Sequence, residues 1–170
     1  MEKKRNIQVG NFFWFGEEIV QVYDKCAWEL LPDNEHKNRY SVVNKEGELF
    51  GCNEENLKDI ILSVEMLETF FTQIKNTDHE CVTEYSSTEY IVTNTISRFQ
   101  FKWNYACICA EMFSVCGDKR WWIGRIEYVH QLQNILNDFR EIERIHYLNE
   151  NGEEIPFEID TKVKQFLWRD

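Results

Sequence analysis

Residues 126–139 read IEYVHQLQNILNDF. Tyr128, Leu132, Ile135 and Phe139 recur at helical spacing, and Ile142 continues the row one turn later. That is one stripe of an amphipathic helix, widened by Val129 and Leu136, and it predicts a helix over 127–142. His130, Asn134, Asn137 and Glu141 form a second, polar stripe, with Gln131 and Asp138 beside it. The expectation is that this stripe faces water and that His130 is structural or solvated rather than catalytic. A helix with one apolar stripe must bury it against another layer, so the rest of the chain is read for that layer.

The layer lies just upstream. In 98–105, RFQFKWNY, the aromatics Phe99, Phe101, Trp103 and Tyr105 alternate with Gln100, Lys102 and Asn104. This is the pattern of a half-buried antiparallel strand. Segments 79–86, 89–96 and 106–116 suit neighbouring strands, and Gly117-Asp118 turns the last of them into a strand over 120–123. Before the meander, Ser63 is a good N-cap for a helix with Met66, Leu67, Phe70, Phe71 and Ile74 on its apolar face, ending near Lys75-Asn76.

Earlier still, 7–15 and 17–24 read as two strands joined at Phe15-Gly16, with Ile19 and either Val20 or Val22 directed inward. Residues 26–31 suggest a third strand. Residues 39–44 and 48–52 flank a tight turn at Lys45-Glu46-Gly47. So many short strands in so few residues predict a strongly bent sheet or a small barrel of SH3 type. At the other end, 143–149 and 153–159 flank Asn151-Gly152 as a hairpin, and 161–168 suit one or two helical turns. The expected class is therefore α+β. A small β-barrel-like N-terminal unit, residues 1–60, is followed by a helix and an antiparallel sheet packed by the C-terminal amphipathic helix, residues 61–170, in one compact domain.

Composition agrees with a packed protein. Of 170 residues, 43% are hydrophobic and 15% aromatic, enough to build a core, which argues against intrinsic disorder. No run of about 18 apolar residues is present to span a membrane, and residues 6–18, after the charged residues 1–5, are too short and polar for a secretory leader, so the host-cell cytoplasm is expected. Cys26, Cys52, Cys81, Cys107, Cys109 and Cys116 then read as free, buried thiols.

The net charge of −11 is concentrated: residues 46–97 carry eleven acids and two bases. Such a block repels nucleic acid and favours a basic partner, although a solvated face that only aids solubility has the same composition. Phosphate-binding glycine loops, the nucleophile elbow and the zinc-protease helix are absent from the sequence. His79-Glu80-Cys81 lacks the partner cysteines of a zinc deaminase, and Cys107-x-Cys109 lacks two further convergent ligands. No cofactor, metal or catalytic residue is expected. Arg120-Trp121-Trp122 interleaves a base with aromatics, as surfaces that stack unpaired bases do, but core packing explains the aromatic spacing equally well.

Three stretches resemble one group of proteins. VGNFFWFGEEIVQV (9–22) resembles a G-N-x-[VF]-x-[YF]-x-G-x-x-x-x-V opening. ENLKDIILSVEMLETF (55–70) resembles an N-L-x-P-I-P-L-T-x-E-x-L segment. RIEYVHQLQNILNDF (125–139) resembles an I-x-Y-V-H-Q-L-Q-N-L helix. Together they look like small, mostly uncharacterised proteins of bacterial prophages and mobile elements. Asp59 stands where that group has proline. The group supplies no catalytic residues to carry over.

What the resemblance implies is a setting in which small acidic proteins disable host defence, as anti-CRISPR proteins do. The resulting expectation is a non-catalytic, phage-derived inhibitor of an RNA-guided effector nuclease, engaging the protein or its guide RNA. Glu46, Glu48, Glu54, Glu55, Asp59, Glu65 and Glu68 would face the basic partner, and Trp121 and Trp122 would anchor the contact. The alternatives are an adaptor or regulatory protein of a mobile element, and a cysteine-dependent enzyme.

Overall fold

In the computed structural model, the described residues are 5–25, 39–74, 82–86, 98–143 and 158–170. They form two antiparallel sheets and three α-helices, an α+β arrangement. The chain divides into two compact units, residues 1–60 with 128–134, and residues 61–127 with 135–170. Among the described residues, no helix is long and apolar enough to cross a membrane.

The first unit is built on five strands. Strands β1 (Phe12–Phe15) and β2 (Glu18–Lys25) pair across a two-residue connection, Phe15 opposite Glu18. Gly16 has φ +63° while Glu17 does not take a positive φ, which is the pattern of a type II′ turn and matches the twist of the strands it joins. Strands β3 (Arg39–Val43) and β4 (Leu49–Asn53) follow, then a 3-10 turn (Glu54–Asn56) and β5 (Leu57–Lys58). The strand order is β4-β3-β2-β1-β5, a meander whose last strand returns to pair with its first. The core is Ile7, Phe13, Val20, Val22, Val42, Cys52 and Leu57, all buried. Val20 and Val22 both point inward, and Ile19 is only half-buried, so the expected choice between the two valines is corrected. Alternation by two makes 20 and 22 share a face, and 19 takes the other.

Residues 7–11 are not a strand, contrary to expectation. Gly10 takes φ +91°, and Asn11 closes a turn on Gln8, its Oδ1 accepting from Gln8 N at 2.8 Å and its N donating to Gln8 O at 3.1 Å. An asparagine side chain that offers the backbone a local partner competes with the strand ladder.

The second unit opens with α1 (Val64–Phe70), capped by Ser63 Oγ, which accepts from Met66 N at 3.2 Å. The helix stops five residues earlier than the apolar spacing suggests. Phe71 is already extended, and Thr72–Ile74 forms β6, paired with β7 (Val82–Ser86). Two β-branched residues in Thr-Gln-Ile favour the sheet, and the ladder bonds to β7 replace those of a further helical turn. Strands β8 (Arg98–Asn104), β9 (Cys109–Cys116) and β10 (Lys119–Ile126) complete the order β10-β9-β8-β7-β6. Phe99, Phe101 and Trp103 are buried, as their alternation requires, and Phe101 stacks on Phe71 with centroids 4.4 Å apart. Tyr105 departs from that face, because the strand ends at Asn104.

Helix α2 (Val129–Glu143) lies where the opening stretch predicts it, and its residues up to Asn134 group with the first unit. Helix α3 (Glu158–Leu167) is longer than the expected turn or two, and it takes up residues 158 and 159, which were expected to end a strand. It packs on α1, with Phe166 edge-on to Phe70 at 5.8 Å and Arg169 Nη1 bonded to Glu65 Oε1 at 3.1 Å. The expected strands at 26–31 and 89–96, the hairpin around Asn151-Gly152, and the thiols of Cys26 and Cys81 lie outside the described residues.

Candidate functional site

The first part of the polar stripe of α2 does not face water: His130 and Asn134 are each 5% exposed, and Gln133 between them in sequence is 3% exposed, whereas Asp138 beside the stripe is exposed as expected. The loop that failed to become a strand is the reason. A non-strand segment at the edge of a core leaves backbone groups that need partners, and buried ones are almost always satisfied. The α2 amides supply them. Gln133 Nε2 donates to Gly10 O at 3.0 Å while its Oε1 accepts from Phe12 N at 3.2 Å. Asn134 Oδ1 accepts from Asn11 Nδ2 at 2.8 Å, and Asn134 Nδ2 donates to the Asn6 carbonyl. Gly10 O also receives Gln21 Nε2 at 3.0 Å. The Gly10-Asn11 pair and the 128–134 segment, two of the stretches that carry the resemblance, thus meet in one hydrogen-bonded cluster. The sequence held a signal for this: residues 128–137 contain no charged side chain, whereas a solvated helix face carries lysine and glutamate.

His130 stands at the edge of the cluster. Its ring lies 5.1 Å from that of Phe13 and stacks on Tyr128 at 5.8 Å. Its Nδ1 is 3.7 Å from Asp59 Oδ1, too far for a hydrogen bond, and the same carboxylate oxygen is 3.6 Å from Arg5 Nε. Arg5 is held in turn by donating Nη1 to Leu57 O at 2.5 Å. Burial pushes the His130 pKa below its ordinary value; the Asp59 carboxylate pulls it back up, and the Arg5 guanidinium pushes it down. A neutral imidazole between two aromatic rings is a packing element, and with 5% exposure it offers a substrate little approach.

Asp59 therefore differs from the other expected contact acids, since it is turned toward Arg5 and His130. Glu48 accepts from Asn44 Nδ2 at 3.1 Å, and Glu65 pairs with Arg169. Glu68 faces the buried Tyr85 hydroxyl, whose pKa is pushed up to about 12 by burial first and by the Glu68 charge second. Glu46 and Glu55 are exposed, and Glu54 is half-buried. Glu46 to Asp59 belong to the first unit, Glu65 and Glu68 to the second.

Trp121 and Trp122 lie on β10, at one end of the strand order in the second sheet, and are 51% and 58% exposed. Sequence spacing alone left them equally suited to a core. The expected burial of the cysteines holds for Cys52 and Cys109 and fails for Cys107, which is exposed, and for Cys116, which is half-buried. Cys107 sits in the four-residue turn between β8 and β9 rather than on a strand beside Cys109, because Asn104 Oδ1 accepts from both Ala106 N and Cys107 N. Among the described residues, no three His, Cys, Asp or Glu side chains converge as metal ligands. Neither a protein-family model, nor a curated protein, nor a solved structure matches the chain.

Proposed function

We propose that this chain is a non-catalytic binding protein of phage origin that blocks an RNA-guided effector nuclease by occupying a basic surface of that complex. The observation that carries this reading is the placement of Glu46 and Glu48 at one end of β4 and Glu54 and Glu55 at the other. Strand β4 ends the strand order of its sheet, and Glu48 to Glu54 spans about 20 Å at roughly 3.3 Å per residue. Carboxylates held at the two ends of a strand give a basic, nucleic-acid-binding channel two fixed points of negative charge without the entropy cost of ordering a flexible chain. We read the first unit as a small SH3-like barrel, on its five short strands and the return of β5 to pair with β1.

The experiment is co-purification of the tagged protein with a panel of RNA-guided effectors carrying their guides, at low and high salt. A salt-sensitive complex with one effector is expected. The variant Glu46→Lys/Glu54→Lys/Glu55→Lys should release it and restore nuclease activity. Full inhibition by the folded variant would sink the charge mechanism, and no partner in any lane would favour an adaptor of the mobile element.

A further inference from the structure

The face of the second sheet that carries Trp122 is ordered in rows. Directly opposed residues in an antiparallel ladder share a face, so Gln100, Phe113 and Trp122 form one row, and Lys102, Glu111 and Arg125 form the next. Arg120, opposite Val115, lies on the same face. Its guanidinium carbon sits 4.2 Å from the centre of the Phe113 ring. Nη1 donates to Gln100 Oε1 at 2.9 Å and to Glu84 Oε1 at 3.2 Å, and Gln100 Nε2 donates to Glu84 Oε2 at 2.8 Å. Glu84 is buried, so this bracket is rigid, while the Arg120 side chain is 37% exposed.

The arrangement is a preorganised stacking surface. Trp122 offers an indole at the end of its row. Arg120 offers a guanidinium already held by three partners, so little rotamer entropy is lost when a second plane stacks on it. Lys102, Arg120 and Arg125 outnumber Glu84 and Glu111 on this face, in a chain whose net charge is −11. Arg125 is half engaged by Glu111 at 3.6 Å. Among its described residues this face therefore carries more bases than acids, so an anionic polymer with exposed aromatic planes meets less repulsion there than the net charge of the chain implies. A duplex hides those planes, and an acidic peptide lacks them.

We propose that the Trp122–Arg120 face of the β8–β10 sheet binds single-stranded nucleic acid, stacking an unpaired base on Trp122 with flanking phosphates near Arg120 and Arg125. This does not rest on the acidic strand of the first unit or on any effector partner. The test is fluorescence anisotropy of the intact protein with a labelled 12-nucleotide oligouridylate and oligothymidylate at low salt, with a duplex of equal length and polyglutamate as competitors. Single-strand binding is expected, weakening with salt along a log–log slope of about −2 for two to three phosphate contacts. Trp122→Ala should lower affinity by about fivefold to a hundredfold, and Trp122→Phe should recover most of it, since a phenyl ring still stacks. Far-UV circular dichroism of both variants should match the parent, because the side chain is largely exposed. No binding by the parent at low salt, unchanged affinity in Trp122→Ala, or equal competition by duplex or polyglutamate would each overturn the assignment.

Discussion

Replacing Asn134 with alanine removes the acceptor for Asn11 Nδ2 and the donor to the Asn6 carbonyl in one step. The two ends are not equivalent. Asn11 is fully buried, so its amide is left unpaired in the core, at a cost of about 1–3 kcal/mol. Asn6 is exposed, so its carbonyl rehydrates and the loss there is closer to about 0.5–1 kcal/mol. Alanine gains roughly half a kcal/mol of helix propensity over asparagine. The expected net destabilisation is about 1–3.5 kcal/mol. In urea titration followed by circular dichroism, with a slope of about 2 kcal/mol per molar, the midpoint should fall by about 0.5–1.8 M. Asn137→Ala, one turn along on the half-buried side, should cost no more than about 0.5 kcal/mol. A double-mutant cycle with Asn11→Ala should give a coupling of at least about 1 kcal/mol. A midpoint shift for Asn134→Ala no larger than that for Asn137→Ala, or strict additivity with Asn11→Ala, would refute the claim that these amides hold the helix to the 6–12 loop.

His130 predicts a pH dependence. Its folded pKa lies below the unfolded value, so the unfolded state binds the proton more readily, and stability rises with pH through that window. The contribution is complete above the unfolded pKa, about 6.5, and is lost as pH falls from there toward the depressed folded value. Urea midpoints measured between pH 7.5 and 5.5 should decline, and His130→Gln should flatten the decline; a parent profile that is flat in that range would contradict the burial argument. Ile108 predicts a gain instead. It is a β-branched residue at φ +50°, a conformation that costs an L-residue about 1–2 kcal/mol, and its side chain is exposed. After the extra unfolded-state entropy of glycine, Ile108→Gly should stabilise by about 0.5–1 kcal/mol and raise Tm by about 1–4 °C; an unchanged or lower Tm in calorimetry would show that the turn is not strained.

What could be read without coordinates was whatever depends on neighbours a few residues apart. The 3.6-residue period of Tyr128, Leu132 and Ile135 was enough for α2, the alternation of Phe99, Phe101 and Trp103 for β8, and the Ser63 cap for the start of α1. The two-residue connections at Gly16 and Gly117 followed from their need for positive φ. These are local properties of the backbone and of side-chain direction, so they survive in any tertiary setting that tolerates them. Which face of an element meets which partner is not local. His130 and Asn134 fall on the polar stripe of the helical wheel and are buried: the Asn134 amide, with that of Gln133, satisfies a loop more than 120 residues earlier that lacks strand partners, and His130 packs against Phe13 and Tyr128. The spacing of Trp121 and Trp122 suits a core as well as a surface, and the fold leaves both exposed on β10, at the end of its sheet's strand order. Asp59 reads as one acid of a surface block and instead faces Arg5 and His130. In each case the deciding interaction joins residues far apart in the chain, where a unit of buried polar or apolar surface outweighs the preference of any single residue.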